Sequence, residues 1–452
     1  MTKNIVLEKT KNKSEDKFAK IKPRMTASEA LVESSRCLFC HDAPCINACP
    51  SSIDIPMFIR QIMSKNTKGS AKTIFNQNIL GKSCGEVCPT SVLCEGACVY
   101  NELNEKPIDI GRLQAYATGY AIDNDIRFFE KGKSTGKKVA VVGGGPAGLA
   151  CAHELTVLGH DVVIYEANKK AGGLNTYGVA PYKFSNEDAK KEVDYISKIG
   201  FKIKTDFCVT SDKLPGFEKE YDAIFLSVGL GKSKKTGIPG ENLNGVFGAA
   251  EFIHELRDKE QKIKVGKNIV VVGAGNTAID AAVESSMLGA NVIVIYRRSD
   301  KDQSAYGFEV EHAKKYDVKF MYLTSPLEII GNGKAKAKGL TGLKCVKNKI
   351  VKTDKNGKSS IEPIKGSEFV VPCDMVILAT GQEKMTDFFG SIKKLKLDNG
   401  KIVVNKYFQT TNPKYFAGGD CINGGKEVVN AVANGRDAAR GIDRWLKGNK
   451  NG

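Results

Sequence analysis

Eight cysteines fall in two runs, Cys37-x2-Cys40-x4-Cys45-x3-Cys49-Pro50 and Cys84-x3-Cys88-Pro89-x4-Cys94-x3-Cys98, while five others are scattered. Clustered thiols serve either a disulfide framework, which suits a small secreted domain, or metal ligation. A chain of 452 residues is no small stapled scaffold, so metal is the favoured reading. Zinc sites more often pair two C-x2-C hairpins. Three close thiolates with a fourth followed by proline is instead the pattern of ferredoxin runs, in which that fourth ligand serves the other cluster. The spacing points to two 4Fe-4S centres with crossed ligation, and leaves open which eight groups ligate.

Two glycine loops carry a second chemistry. Gly143-Gly-Gly145-Pro-Ala-Gly148 follows the apolar run Val139–Val142 and opens an apolar stretch. Gly143 supplies the tight turn, Gly145 lets the backbone approach a pyrophosphate, Gly148 allows close packing of helix on strand, and the helix N-terminus adds partial positive charge. Glu166 ends the next apolar run, where an acid holds a ribose hydroxyl. Gly172-Gly173-Leu174 and the late Gly418-Gly419-Asp420 occur in the order that two-dinucleotide flavoproteins use around FAD. The second loop, Gly273-Ala-Gly275-Asn276-Thr277-Ala278, ends in an alanine that the packing role tolerates. Its following strand ends at Arg297-Arg298 with no acid, so two guanidinium groups stand where a 2'-phosphate would lie, which leans toward NADP over NAD.

The elements that hold these groups divide the chain. Thr26 with Glu29 forms a capping box directly ahead of the first cysteine, and helices are expected at 57–64, 71–77 and 110–122. Residues 1–24 are basic and apolar-poor, so a flexible or weakly docked tail without chemistry is expected there. The fold class expected is α/β, with an N-terminal α-helical iron-sulfur domain followed by two Rossmann-like dinucleotide-binding domains. The expected boundaries are 1–133 for the helical domain with two 4Fe-4S clusters, 134–250 for the first part of an FAD-binding domain, 251–372 for an NAD(P)-binding domain and 373–452 for the second FAD part. Residues 334–372 read as a hairpin or meander at the edge of the second fold, and 374–378 as a buried strand.

Composition is that of an ordinary globular protein, 41% hydrophobic and 26% charged, with no apolar run of membrane-spanning length and no signal peptide. The cytoplasm is therefore expected. The net charge of +17 comes mainly from dispersed lysines without interleaved aromatics. That argues for a solvated surface rather than nucleic acid, and is compatible with an acidic redox partner. No histidine triad supports a hydrolase, and no C-x-x-C adjoins the first loop to support a disulfide reductase.

The segments Cys37-Leu-Phe-Cys40-His-Asp-Ala-Pro-Cys45, Ile53-Asp-Ile-Pro56, Cys84-Gly-Glu-Val-Cys88-Pro-Thr-Ser91 and Ile110-Gly-Arg-Leu-Gln114, with both glycine loops, resemble the N-terminal half of dihydropyrimidine dehydrogenase and its bacterial separate-subunit form. More broadly, the chain resembles the glutamate synthase small-subunit family. The resemblance implies one cluster on Cys37, Cys40, Cys45 and Cys98, another on Cys49, Cys88, Cys94 and Gln114, and leaves Cys84 a buried spectator. Glutamate synthase relatives tend to have an acid at the glutamine position, so Gln114 favours the dihydropyrimidine dehydrogenase branch. The same resemblance sets Lys183 near the flavin and Ala379-Thr380-Gly381 on the loop between the nucleotide sites. Ser304 stands where the fused enzyme has a further phosphate-binding arginine, which keeps NAD open.

No protein acid or base is assigned to hydride transfer. The expected function is electron input, from NAD(P)H through FAD and two clusters to a partner FMN subunit that reduces uracil or thymine, in a hetero-oligomer. The runners-up are a glutamate synthase small subunit and a ferredoxin-NADP oxidoreductase subunit. A non-catalytic iron-sulfur scaffold or redox sensor is opposed by the two intact nucleotide loops.

Overall fold

The computed structural model describes residues 18–258, 263–331, 339–353 and 359–448. The described chain forms two compact units, a larger one of Lys20–Thr176, Lys183–Leu230 and Lys384–Gly452, and a smaller one that includes Tyr177–Tyr182 and Gly231–Glu383.

The larger unit begins with short helices whose starts are fixed by local polar groups. Thr26 Oγ1 accepts from the Glu29 amide at 3.2 Å, and Glu29 returns a carboxylate oxygen to the Thr26 amide at 2.7 Å, which opens the helix Ala27–Ser35. Asp54 caps Ile55–Met63 through the Met57 amide, and Asn66 caps Thr67–Phe75 through the Gly69 amide. The helix Ile55–Met63 turns Ile55, Phe58, Ile59 and Ile62 inward, at the i, i+3, i+4, i+7 spacing of one apolar face. Gly81–Val87 and Ile110–Asp123 meet backbone to backbone. A Cβ on Gly85 would stand 2.6 Å from the Gly111 carbonyl oxygen, and one on Gly111 2.7 Å from that of Gly85. Only glycine at both places lets Cys84 and Cys88 come up beside Gln114.

The same unit holds a parallel sheet in the order Tyr415–Ala417, Ala223–Leu226, Lys138–Val142, Asp161–Tyr165, Lys202–Lys204. The helix Pro146–Val157 returns the chain from the strand Lys138–Val142 to Asp161–Tyr165, and the helix Val428–Leu446 packs on it so closely that a Cβ on Gly435 would lie 2.1 Å from the Ala147 carbonyl oxygen. One apolar core runs from Phe58 and Leu113 of the helical part to Val139, Leu149 and Ile442.

Residues 18–24 are held more firmly than the expected flexible or weakly docked tail; residues 1–17 lie outside the described residues. Lys20 bridges Glu86 at 2.7 Å and Asp188 at 2.6 Å, Lys22 donates to the Cys88 carbonyl at 3.0 Å, and Arg24 pairs with Asp188 at 2.9 Å. Asp188 also pairs with Lys82, whose side chain is fully buried. Burial opposes ionisation of Asp188, but Lys82 and Lys20 outweigh it and hold the carboxyl well below its usual range. The tail is pinned because buried carboxylates on other elements need its cations, a demand that its own composition does not reveal.

Glu192, on the same helix as Asp188, accepts from the Ser83 amide at 3.0 Å, and burial pushes its pKa from 4.5 to about 7. A carboxyl that ionises less readily when folded binds more protons in the native state. Its contribution is therefore greatest below pH 4.5 and is lost as pH rises through about 7. Urea midpoints of Glu192→Gln, which keeps the acceptor but cannot ionise, are expected to lack this component of the decline; a slope equal to wild type would show that Glu192 does not titrate in that window.

The smaller unit has its own parallel sheet, ordered Val246–Gly248, Met375–Leu378, Asn268–Val272, Asn291–Ile295, Lys319–Met321. Two of its strands come from outside 251–372, the span expected for the NAD(P) domain, because Val246–Gly248 pairs with Met375–Leu378 across a long stretch of sequence. The stretch expected as a hairpin or meander at the sheet's edge is antiparallel, but with Thr324–Gly331 its strands Leu340–Thr353, Ser359–Pro363 and Phe369–Pro372 form a separate sheet. The lysine-rich 334–338 lies outside the described residues. Among the described residues no helix is long and apolar enough to cross a membrane.

Candidate functional site: two thiol cavities and two glycine loops

The eight clustered cysteines do not stay in their sequence runs. Cys37, Cys40, Cys45 and Cys98 line one cavity, together with Ile55 and Ile59. Cys49, Cys84, Cys88 and Cys94 line another, together with Gln114. One member of each run has thus crossed to the other set, as crossed ligation requires. All of these cysteines are free thiols. Among the described residues no group of three or more His, Cys, Asp or Glu side chains is arranged to hold a single metal ion. Four thiols face each cavity, and soft sulfur donors in that number fit iron-sulfur chemistry.

Burial raises the thiols of Cys37 and Cys49 and pushes that of Cys45 up to about 12. Cys88 is raised first by its hydrogen bond with Cys84 and then by burial. Such thiols hold their protons at neutral pH until a metal displaces them, so cluster loading releases protons. Gln114 is only 7% exposed, and its Nε2 donates to the Gly81 carbonyl at 2.7 Å. That bond fixes which way the amide faces and leaves Oε1, its one lone-pair donor, for the cavity.

The first glycine loop has the shape its spacing implies. Gly143 has φ +104°, and a Cβ on Gly148 would lie 2.0 Å from the Gly143 carbonyl oxygen. Gly173 packs against Gly145, where a Cβ would approach the Gly145 Cα to 2.7 Å, and a Cβ on Gly419 would stand 3.2 Å from that of Ala147. The segments 143–148, 172–174 and 418–420 therefore converge at the N-terminus of the helix Pro146–Val157, and side chains at the glycines would fill the cradle. Glu166 lies beside them, buried, accepting from the Gly144 and Asn168 amides at 2.8 Å each. Asp420 is raised by burial, opposed by the Lys426 amide that donates to it. Leu174 is 46% exposed, and Lys183 is buried. Ser227 escaped the sequence reading: its hydroxyl donates to the Gly143 carbonyl at 2.9 Å and braces the turn. Its position just past the strand Ala223–Leu226 is the local signal that marks it.

In the smaller unit Gly273 has φ +130°, and a Cβ there would meet the Ala379 carbonyl oxygen at 2.3 Å. Ala379-Thr380-Gly381 is held beside the loop, with the Gly381 carbonyl accepting from the Lys234 amide at 2.8 Å. Asn276 Oδ1 accepts from the Tyr306 amide at 3.1 Å, and Thr277 follows it in the first turn of the helix Asn276–Met287. Ser304 Oγ is 3.3 Å from the place a Cβ on Gly275 would take, so this residue does reach the phosphate-binding turn. Arg297 is exposed, whereas Arg298 is half-buried and donates through Nε to the Ser359 carbonyl at 2.9 Å.

Residues 137–435 match the family described as pyridine nucleotide-disulphide oxidoreductase, and residues 14–126 match dihydropyrimidine dehydrogenase domain II, 4Fe-4S cluster. The chain is 34% identical over 450 residues to the glutamate synthase [NADPH] small chain of Escherichia coli K12, covering 95% of this chain and 94% of that one. It is 32% identical over 429 residues to the NAD-dependent dihydropyrimidine dehydrogenase subunit PreT of the same organism, covering 94% and 96%. Mycobacterium tuberculosis FprA in complex with NADPH shares the fold, with a TM-score of 0.56 at 18% identity over 69% of this chain and 86% of that one. The two curated relatives are nearly equally similar, so they do not separate the branches that Gln114 was expected to separate. At the level they share, this chain belongs to the pyridine nucleotide-disulphide oxidoreductase family and is an NAD(P)H-dependent FAD and iron-sulfur oxidoreductase.

Proposed function

We propose that the chain is the electron-input subunit of a hetero-oligomer whose FMN-containing partner reduces uracil or thymine to the dihydropyrimidine. In this reading Cys37, Cys40, Cys45 and Cys98 hold one 4Fe-4S cluster, and Cys49, Cys88, Cys94 and Gln114 hold a second. The observation that carries the choice of branch is Gln114, whose amide nitrogen is engaged by the Gly81 carbonyl so that its oxygen is the atom left to ligate. When bound, FAD accepts a hydride from NAD(P)H and gives up electrons singly to clusters that carry one each. The protein's part is to hold these groups. Gly143, Gly145, Gly148 and the helix behind them receive the FAD pyrophosphate, Glu166 the adenosine ribose, and Leu174, Lys183, Gly419 and Asp420 the flavin side. Gly273, Gly275, Asn276 and Thr277 receive the nicotinamide cofactor, bordered by Ala379, Thr380 and Gly381. The NAD(P) part is proposed to span 231–383, within an otherwise continuous iron-sulfur and FAD part.

A glutamate synthase small subunit is the second reading, favoured by the 34% identity over nearly the whole of that relative. Anaerobically purified protein is expected to contain about eight irons and one FAD per chain, and to reduce an artificial one-electron acceptor with NAD(P)H. Zinc in place of iron, or no acceptor reduction, would overturn electron input. Co-purification with a flavoprotein active on uracil, rather than one active on glutamine, would support the first reading.

Arg297 and Arg298 lie at the end of the strand where a 2'-phosphate is read. Replacing both by alanine is expected to raise KM for NADPH about tenfold or more while changing KM for NADH little, since each charge-assisted bond to phosphate contributes about 1.5–3 kcal/mol. Equal losses for the two cofactors would mean that neither guanidinium reads the phosphate.

A further inference from the structure

Asn78 is completely buried at the edge of the second thiol cavity, where it lines the same space as Cys49, Cys88, Cys94 and Gln114. Its Oδ1 accepts from the Leu80 amide at 3.1 Å, which fixes the orientation of the side-chain amide. The other end, Nδ2, is buried without an acceptor. An unsatisfied amide N–H is costly in a protein interior, and buried donors almost always find a partner. Ile53, Leu93 and Val429, which share the lining, offer no side-chain acceptor. The sulfurs that the cavity would hold are the acceptors the site lacks.

We propose that the side-chain amide of Asn78 donates an N–H···S hydrogen bond to the cluster in the second cavity and raises its reduction potential. This rests on the reading of that cavity as a 4Fe-4S site. Reduction adds one electron, and the added negative charge spreads onto the sulfurs. A donor aimed at them therefore binds the reduced state more strongly than the oxidised state, and the equilibrium moves toward reduction. Gln114 acts in the same direction, because a neutral oxygen ligand leaves the cluster one charge less negative than a fourth thiolate would. No orphaned buried side-chain donor stands among the described residues lining the first cavity. The two centres, similar in their cysteines, are thereby made unequal, with the second the more easily reduced.

The test is an EPR-monitored redox titration of the full-length, anaerobically loaded protein, alongside two variants. Asn78→Leu removes donor and acceptor at nearly constant volume, whereas Asn78→Asp keeps an oxygen for the Leu80 amide and replaces the donor. In both, one cluster is expected to become about tenfold harder to reduce, a fall of about 59 mV for a one-electron couple, while the other cluster keeps its potential. A role confined to holding Leu80 would leave the Asp variant at the wild-type value. Variants that carry the wild-type iron content and show unchanged potentials overturn the proposal. Should neither variant assemble, pulsed EPR of reduced wild-type protein labelled with ¹⁵N-asparagine decides it: a ¹⁵N coupling on one cluster is expected, and its absence overturns the proposal. Wild-type protein without iron would instead overturn the cluster reading itself, so the two failures are distinguishable.

Discussion

Cys88→Ser protein is expected to carry about four irons in place of about eight, to retain its FAD, and to lose at least about tenfold in electron delivery to a one-electron acceptor. Cys88 lines only the second cavity, with Cys49 and Cys94, and the thiols of the first cavity lie on other segments. The glycine cradle for FAD uses none of these residues, so flavin reduction by NAD(P)H in a rapid-mixing experiment is expected to stay near the wild-type rate. Cys84→Ser makes the informative contrast. Cys84 lines the same cavity, but its thiol is hydrogen-bonded to Cys88, and Gln114 supplies the fourth donor in the proposed set. Full iron with Cys84→Ser, and cluster loss or altered transfer with Gln114→Ala, would establish the amide as ligand. The reverse pattern would make the second site all-cysteine and remove the residue-level reason for preferring the dihydropyrimidine branch.

Asp188→Leu is expected to destabilise the protein by about 3–5 kcal/mol, because it strands a buried ammonium. Lys82 has no exposed side-chain surface and pairs with Asp188, which also gathers Lys20 and Arg24. Adding Lys82→Met to the same chain is expected to recover much of the loss, since an apolar pair of similar volume has no charge to strand. Urea unfolding of the three proteins checks this, and equal losses in the single and double variants would contradict it. The carboxyl is held below its usual range, so its stabilisation is present above the unfolded-state value of about 3.9 and is lost as pH falls below it. Acid unfolding of wild type should accordingly be steeper than that of the double variant.

What the residues announced locally was legible, and what they do at long range was not. Thr26 and Glu29 mark a helix start because both partners of the capping box lie within four residues. Gly143 and Gly273 mark strand-to-helix turns because their left-handed backbone is itself local. The crossing of Cys49 and Cys98 into opposite cavities was anticipated in kind by the proline after Cys49, and residue by residue only through the family resemblance. The limits of the smaller unit were misplaced because Val246–Gly248 finds its partner strand at Met375–Leu378, a pairing with no short-range signature. Lys20, Lys22 and Arg24 looked like solvated charges because their partners are remote in sequence: Glu86 and Asp188 for Lys20, Asp188 for Arg24 and the Cys88 carbonyl for Lys22. Asn78 was passed over because a single asparagine is an ordinary turn residue until the cavity beside it is seen.

The helix Val428–Leu446 has a bearing on biosynthesis. Val429 helps line the second thiol cavity, and Arg436 reaches the carbonyls of Ser51 and Gln77 at 2.9 Å each. The side chains lining the first cavity all lie between Cys37 and Ile110. A ribosome therefore exposes every wall of the first cavity once Ile110 has emerged, whereas the second lacks one wall until Val429 follows. The strand Tyr415–Ala417 and Asp420, which finish the FAD sheet and cradle, arrive equally late. The chain order thus sets an order of completion, with the walls of the first thiol cavity present long before those of the second, which closes together with the glycine cradle.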